Sequence, residues 1–376
     1  MNERTIMIGE HLSGEYSIAE LARRRGVSRK TAYKWIERYE KAGVEGLEER
    51  SRAAHSHPNE ITKEMEERIL WWKEQRPGWG APKIHSKLVE YADCPSESTV
   101  SNVLRRHGLT RPVRRRWAAS PSVGPLENGQ GPNEVWSVDF KGWFLMGNGS
   151  RCDPLTISDQ YSRYLLCCQG IEGGTGTRTV KGLFIRTCRE YGLPDRIRSD
   201  NGAPFASRGL GGLTALAVWW MRLGIQLERI EPGQPQQNGR HERLHRTLKA
   251  AVLKPPSWSL QQQQKAFDAF RRDYNQERPH EALGQKPPAS VYQPSKRAYP
   301  ERLPEVHYPC GWHMRRVSPG GQLKWRGFKV YLSDALVDQV IGLEPVDDGL
   351  WRIHFMSLEL GQLDERKECI IGRRNL

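Results

Sequence analysis

Two short apolar runs each deliver an aspartate at or just past their end, and the chain between them reads as a helix. Val135 to Phe140 has the pattern of a buried strand with Asp139 near its end, and Ile197 to Ser199 leads into Asp200. Thr179 to Tyr191 is helix-like and stops at Gly192-Leu-Pro194, while Asn201-Gly202 turns the chain after the second aspartate. A third carboxylate, Glu242, falls one turn into a helix opened by Pro235-Gln-Gln-Asn-Gly239. Arg246 and Lys249 follow it on one face of that helix, and Leu244, Leu248 and Val252 line another.

Three spaced carboxylates on a chain of formal net charge +14 point to divalent metal chemistry on phosphodiesters. Breaking a nucleic-acid backbone near neutral pH requires an activated oxygen nucleophile and neutralisation of charge on the attacking and leaving oxygens. Two Mg²⁺ ions about 3.5–4 Å apart supply both. Mg²⁺ prefers hard oxygen ligands and keeps several waters, so a few carboxylates plus a substrate phosphate suffice to hold it.

The stretches Trp136-Ser-Val-Asp139, Ser199-Asp-Asn-Gly-Ala-Pro-Phe205, Pro232-Gly-Gln-Pro-Gln-Gln-Asn-Gly-Arg-His-Glu242 and Tyr274-Asn-Gln-Glu-Arg-Pro-His280 give the chain its resemblance to the DDE transposases with a retroviral-integrase-type catalytic core, of the bacterial insertion-sequence kind. The resemblance covers roughly residues 133 to 292, in the family's order. It implies an RNase H-like core, DNA cleavage and strand transfer, and Asp139, Asp200 and Glu242 as catalytic residues and metal ligands. Two Mg²⁺ ions per active site are implied, with Mn²⁺ as a substitute. One departure is visible: forty-one positions separate Asp200 from Glu242, longer than expected for this group, and Gly209-Leu-Gly-Gly212 is a segment that could absorb the excess in a loop.

The charge is unevenly spread. Residues 1–132 carry 23 basic and 18 acidic groups (+5), residues 133–300 carry 24 and 15 (+9), and residues 301–376 carry 11 and 11 (zero). The acidic trio thus lies in the most basic part of the chain, as suits a surface that tracks a phosphate backbone. Seven cysteines without a CxxC pair argue for a reduced chain, with Cys167-Cys168 as small apolar residues of a buried strand. No N-terminal apolar run resembles a signal peptide and no segment is long enough to span a bilayer, so a soluble, cytoplasmic protein without a membrane partner is expected.

Five parts are expected. Residues 1–58 read as a helix-turn-helix: Ser17-Ile-Ala-Glu20 is a capping box, Gly26 offers a turn, and Ser28 caps a second helix through Tyr39. Leu21, Ala22, Val27, Ala32, Trp35 and Ile36 supply a small core, leaving Arg29, Lys30, Tyr33 and Lys34 outward as DNA contacts. Residues 59–108 read as a second helix-turn-helix or winged-helix-like unit. Met65, Ile69 and Trp72 recur at helical spacing, Gly78-Trp-Gly-Ala-Pro82 breaks the chain, and Ser96 caps a helix carrying Val100, Val103 and Leu104. Trp71 and Trp72 are expected in core packing. Residues 109–132 read as a basic linker with Arg111, Arg114, Arg115 and Arg116, residues 133–294 as the catalytic core, and residues 295–376 as a small β-barrel built on strands at Phe328–Leu332, Val337–Leu343 and Leu350–Phe355.

Expected DNA contacts outside the N-terminal helices are Arg114, Arg115 and Arg116 in the linker, and Asn238, Arg240, His245, Arg246 and Lys249 in or just ahead of the Glu242 helix. The expected partners are double-stranded DNA, as transposon ends and target, and further copies of the chain assembled on it. A rival motif overlaps this helix: His241-Glu-Arg-Leu-His245 matches HExxH, in which two histidines bind zinc and the glutamate is the base. That reading leaves Asp139, Asp200 and the DNA-binding N-terminus unexplained. A third alternative is a sequence-specific DNA-binding protein whose core is inactive; metal-dependent cleavage of a cognate end separates it from a transposase.

Overall fold

The structure is a computed structural model that describes residues 3–49, 61–110, 126, 129–207, 209–231 and 234–372. These residues divide into two compact units, Met1–Thr62 and Lys63–Leu376. Arg111, Arg114, Arg115 and Arg116 of the expected linker lie outside the described residues.

The first unit has three helices, α1 (Glu3–Leu12), α2 (Ile18–Arg24) and α3 (Arg29–Ala42). The expected caps form: Ser17 and Glu20 make a reciprocal capping box, and the Ser28 hydroxyl accepts from Thr31 N–H at 3.1 Å. Leu21, Ala22, Ala32, Trp35 and Ile36 are buried as expected, Val27 is half-buried, and Met7 and Ile8 of α1 complete the cluster. Arg29, Lys30, Tyr33 and Lys34 are all exposed on α3.

The second unit begins with α4 (Lys63–Gln75), α5 (Ala81–Leu88) and α6 (Glu97–Arg106), the last capped by Ser96. Trp79 is 1% exposed and stacks on Trp72 at 5.7 Å. Its neighbour Trp71 corrects the sequence expectation, since it is 53% exposed and meets Trp72 only edge-on. The adjacent positions of a helix point about 100° apart, so one face of α4 cannot bury both rings.

The mixed α/β core follows. Its strands are β1 (Val135–Phe140), β2 (Phe144–Leu145), β3 (Arg151–Asp159) and β4 (Leu165–Ile171), then helix α7 (Thr177–Tyr191) and β5 (Arg196–Ser199). Helix α8 (Ala215–Arg222), β6 (Gln226–Arg229), α9 (Gly239–Val252) and α10 (Leu260–Arg272) complete it. The sheet runs β2-β3-β1-β5-β6 with β4 also on β3; β1, β5 and β6 are parallel and the β1–β3 and β3–β4 pairs antiparallel. Gly192 ends α7 at φ +79°, where an added Cβ would lie 2.7 Å from the carbonyl oxygen of Ser295, so the stop requires glycine both for conformation and for space.

Helix α8 is apolar nearly all round and is covered on two sides. Leu216, Trp219 and Trp220 face the core sheet, while Ala217 and Val218 pack into the C-terminal module. Helix α8 and β6 both lie within the long interval between Asp200 and Glu242. The glycine segment expected to loop out is instead a tight turn at Leu210–Gly212 held against that module, with the Gly211 Cβ position 3.1 Å from Leu360.

After α10 the motif Tyr274–His280 latches the helix to the sheet. The Asn275 carboxamide accepts from Leu165 N–H at 2.8 Å and donates to Leu165 C=O at 3.0 Å, pairing β4 at the position where it leaves β3. The same segment receives the second helical bundle: Arg76 pairs with Asp273 at 2.6 Å, Lys87 pairs with Glu277 at 3.2 Å, and Lys83 Nζ donates to the carbonyl of Pro279.

Among the described residues the C-terminal module shows small sheets, and the expected barrel is not shown. Its strands β7 (His313–Arg316), β8 (Gln322–Trp325), β9 (Phe328–Tyr331), β10 (Val340–Asp347), β11 (Leu350–Phe355), β12 (Leu358–Asp364) and β13 (Cys369–Gly372) form a five-stranded antiparallel sheet, β13-β12-β11-β10-β7, and a separate β8–β9 ribbon. Its apolar residues are covered by the ribbon and by α8 of the core, so burial is achieved without closing the sheet on itself. The strand expected at Val337–Leu343 starts later because Asp334–Leu336 forms a turn capped by Ser333.

All seven cysteines are free, and Cys168 is buried in β4 as expected. No helix among the described residues is long and apolar enough to cross a membrane.

Candidate active site

Asp139 emerges from β1, Asp200 follows the last residue of the neighbouring parallel strand β5, and Glu242 stands in the first turn of α9. Parallel pairing of β1 with β5 brings the two aspartates to the same end of the sheet. The segments bearing them are joined by aromatic packing. Phe140, next to Asp139, stacks on Phe205 at 5.6 Å, and Phe205, just beyond Asp200, stacks on Trp220 at 6.1 Å. The loop after Asp200 is also tied down by Asn201, whose side-chain amide donates to Ile230 C=O at 2.7 Å.

Asp139 senses the other two carboxylates. The Asp139 carboxyl is pushed up to about 7, first by burial and then by the charges of Asp200 and Glu242. Asp139 and Asp200 are half-buried and Glu242 is exposed, so the cluster is open on one side. Asn238, at the start of α9, donates from Nδ2 to Asp139 Oδ2 at 3.3 Å, and its buried Oδ1 has no protein partner. Acidic oxygens that repel one another, beside an orphaned amide oxygen, form a donor set that suits a hard divalent cation.

Two expected DNA contacts turn out to face inward. Asn238 is 7% exposed and directed at Asp139, and His245 is 7% exposed because helical periodicity puts it on the same buried face as His241 and Leu244. Arg240 is half-buried, while Arg246 and Lys249 are exposed.

Beneath Asp139 lies a polar cluster that the sequence did not reveal. Thr156 stands opposite Asp139 in the β1–β3 register, and its hydroxyl lies 2.6 Å from His241 Nε2 and 2.7 Å from His245 Nε2. Having one proton and two lone pairs, the hydroxyl accepts from at least one ring N–H. Ser158 Oγ is 3.3 Å from His241 Nδ1. Burial holds both imidazoles neutral, at about 3 for His241 and about 2 for His245. Asp139, His241 and His245 also offer ligand atoms within 4.8 Å of one another. The only local signal for Thr156 is a polar residue inside an otherwise buried strand; its partners depend on register.

Comparison with known proteins identifies domains in this chain. Integrase core domain families match residues 129–235 and 223–288; a helix-turn-helix domain matches residues 3–55 and a homeodomain-like domain residues 31–104. The chain is 28% identical over 240 residues to the insertion element IS407 uncharacterized 31.7 kDa protein of Burkholderia multivorans, covering 63% of this chain and 82% of that one. It is 29% identical over 247 residues to the insertion element IS476 uncharacterized 39.2 kDa protein of Xanthomonas euvesicatoria, covering 64% and 68%. Among solved structures, the HTLV-2 integrase catalytic core domain in complex with magnesium is 16% identical with a TM-score of 0.35, over 44% of this chain and 99% of that one. The chain in the simian T-cell lymphotropic virus intasome with the PP2A regulatory subunit B56 gamma is 17% identical with a TM-score of 0.39, over 77% and 97%. The chain thus carries an integrase core domain behind helix-turn-helix domains, and the relatives it is similar to are proteins of insertion elements.

Proposed function

We propose that the protein binds the terminal inverted repeats of a mobile element, cleaves DNA at those ends and joins the freed hydroxyl to target DNA, with Asp139, Asp200 and Glu242 holding two Mg²⁺ ions. The observation that carries this reading is the electrostatic coupling of the trio: Asp139 is raised by both Asp200 and Glu242, from three different elements. Bound there, Mg²⁺ would neutralise charge on the attacking and leaving oxygens of a phosphodiester, and Mn²⁺ would serve similarly. Asn238 donates to the Asp139 carboxylate and would orient it, and the Phe140–Phe205 stacking joins the segments that carry Asp139 and Asp200. Water is the nucleophile in cleavage and the terminal hydroxyl in joining, so one site serves both displacements and no covalent protein–DNA intermediate is required. The exposed face of α3, with Arg29, Lys30, Tyr33 and Lys34, reads the end sequence. The protein works in the cytoplasm as an oligomer on DNA.

Alanine at Asp139, Asp200 or Glu242 is expected to abolish Mg²⁺-dependent cleavage and strand transfer on oligonucleotides while gel-shift binding to the ends persists. Near-normal cleavage by Glu242→Ala rules the assignment out.

The zinc reading of His241-Glu-Arg-Leu-His245 has one observation in its favour, the proximity of Asp139, His241 and His245. Against it, both Nε2 atoms are occupied by the Thr156 hydroxyl.

A further inference from the structure

Away from the acidic trio, four arginines and a lysine gather where α9, the β3–β4 turn and the Tyr274–His280 segment meet. Arg163 and Arg240 aim their guanidinium groups at one acceptor, the carbonyl oxygen of Gln160, at 2.8 and 3.0 Å. They line a small cleft floored by Tyr274. Arg243 lies one turn along α9 from Arg240, Arg278 is half-buried, and Lys83 of α5 donates to Pro279 C=O.

Like charges held this closely are costly unless something negative joins them. Lys83 is brought down to about 8 by burial and by the neighbouring Arg278. Of the carboxylates nearby, exposed Glu281 acts on Lys83 through its charge, and the others have partners of their own. Asp159 accepts from Asn133 N–H and from the amide and hydroxyl of Ser162, Asp273 pairs with Arg76, and Glu277 pairs with Lys87. Among the described residues, no ion pair forms at Arg163, Arg240, Arg243 or Arg278. Arg163 also sits at φ +66°, a conformation that non-glycine residues rarely adopt.

We infer that Arg163, Arg240, Arg243 and Arg278, with Lys83, form a phosphate clamp that receives the backbone of the DNA end between the second helix-turn-helix and the helix carrying Glu242. The clamp rests on the DNA-transposase reading and adds to it a site for backbone phosphates distinct from the carboxylates. Guanidinium groups suit the task, since their fork geometry matches phosphate oxygens and their charge persists when partly buried. The docking of α5 on the Tyr274–His280 segment places Lys83 in the same cluster, so recognition and catalytic modules share one cationic seam.

The test uses the full chain and the double substitution Arg163→Gln with Arg278→Gln. Binding to an arbitrary duplex of about 30 base pairs is measured across a salt series. The slope of log K against log salt is expected to fall by about 0.9 for each phosphate no longer neutralised. The melting temperature without DNA is expected to hold or rise, because like-charge repulsion is relieved, and inorganic phosphate is expected to stabilise the wild type more than the variant. Lysine at both positions is expected to restore most of the slope. An unchanged slope, or a fall in melting temperature that accompanies the weaker binding and persists in the lysine variant, overturns the clamp. Wild-type cleavage of element-end DNA with Mg²⁺ is read in parallel: its absence beside a shifted slope counts against the catalytic reading and leaves the clamp standing.

Discussion

Asp139 Oδ2 lies 3.8 Å from His245 Nδ1, while the far nitrogen of the same ring is held by Thr156. The histidine therefore supports a carboxylate from behind. In the proposed function its replacement by glutamine alters rate and leaves dependence on Mg²⁺ or Mn²⁺ intact, and elemental analysis of the purified protein finds no stoichiometric zinc. One tightly bound zinc per chain, absent from His245→Gln together with activity, would falsify the carboxylate assignment.

Phe205 is 2% exposed and bridges Phe140 and Trp220, linking the strand of Asp139 to the loop of Asp200. Phe205→Ala is expected to lower stability by about 3–5 kcal/mol. Phe205→Leu preserves most of the volume, and its cost should be smaller while cleavage falls, because a branched aliphatic side chain cannot reproduce the flat ring stacking that joins the segments of Asp139 and Asp200. Urea denaturation and cleavage rates on the same samples check the pair; equal activity in wild type and Phe205→Leu would remove the positioning role.

Asp139 provides a pH signature in metal-free protein. Its folded value near 7 stands above the ordinary 3.8. The folded state therefore binds the extra proton between those limits, and this contribution to stability is present below about 4 and declines as pH rises to about 7, by roughly 1.4 kcal/mol per pH unit at most. Burial of neutral His241 and His245 has the opposite sign, favouring the fold above about 6.5 and losing that support in acid. Comparing wild type with Asp139→Asn cancels the histidine contribution. The wild-type melting temperature should fall relative to that of Asp139→Asn as pH increases across this window, and Mg²⁺ should reverse the fall above pH 7. A difference that is flat with pH would show that Asp139 is not desolvated as the structure has it.

Recognition should separate from chemistry. Arg29, Lys30, Tyr33 and Lys34 are exposed on α3, whereas the acidic trio belongs to the other compact unit. Replacing these four residues is expected to reduce discrimination between element ends and random DNA, by about 1–3 kcal/mol for each side chain that reads a base edge. Footprinting that shows undiminished end protection would move recognition to α6 or elsewhere.

Much of the site was legible because the signals are local. The apolar runs of β1 and β5, the Ser17 and Ser28 caps and the glycine stop at Gly192 each depend on neighbours within a few residues, and each forms as the sequence predicts. Glu242 could be placed on a helix face because periodicity alone sets which residues of α9 lie inward. Periodicity also puts His245 on the inward face, and only the tertiary structure shows Thr156 at the other end of its ring. Strand register is settled by the packing of the whole sheet, so no local pattern pairs Thr156 with Asp139. The same holds for the open C-terminal sheet, whose apolar face is closed by α8 from more than a hundred residues earlier, and for the arginine cluster, assembled from three segments whose charges look like ordinary solubilising surface until the fold brings them together. Short-range geometry is written in the order of residues, whereas long-range burial and electrostatics exist only once distant segments share a neighbourhood.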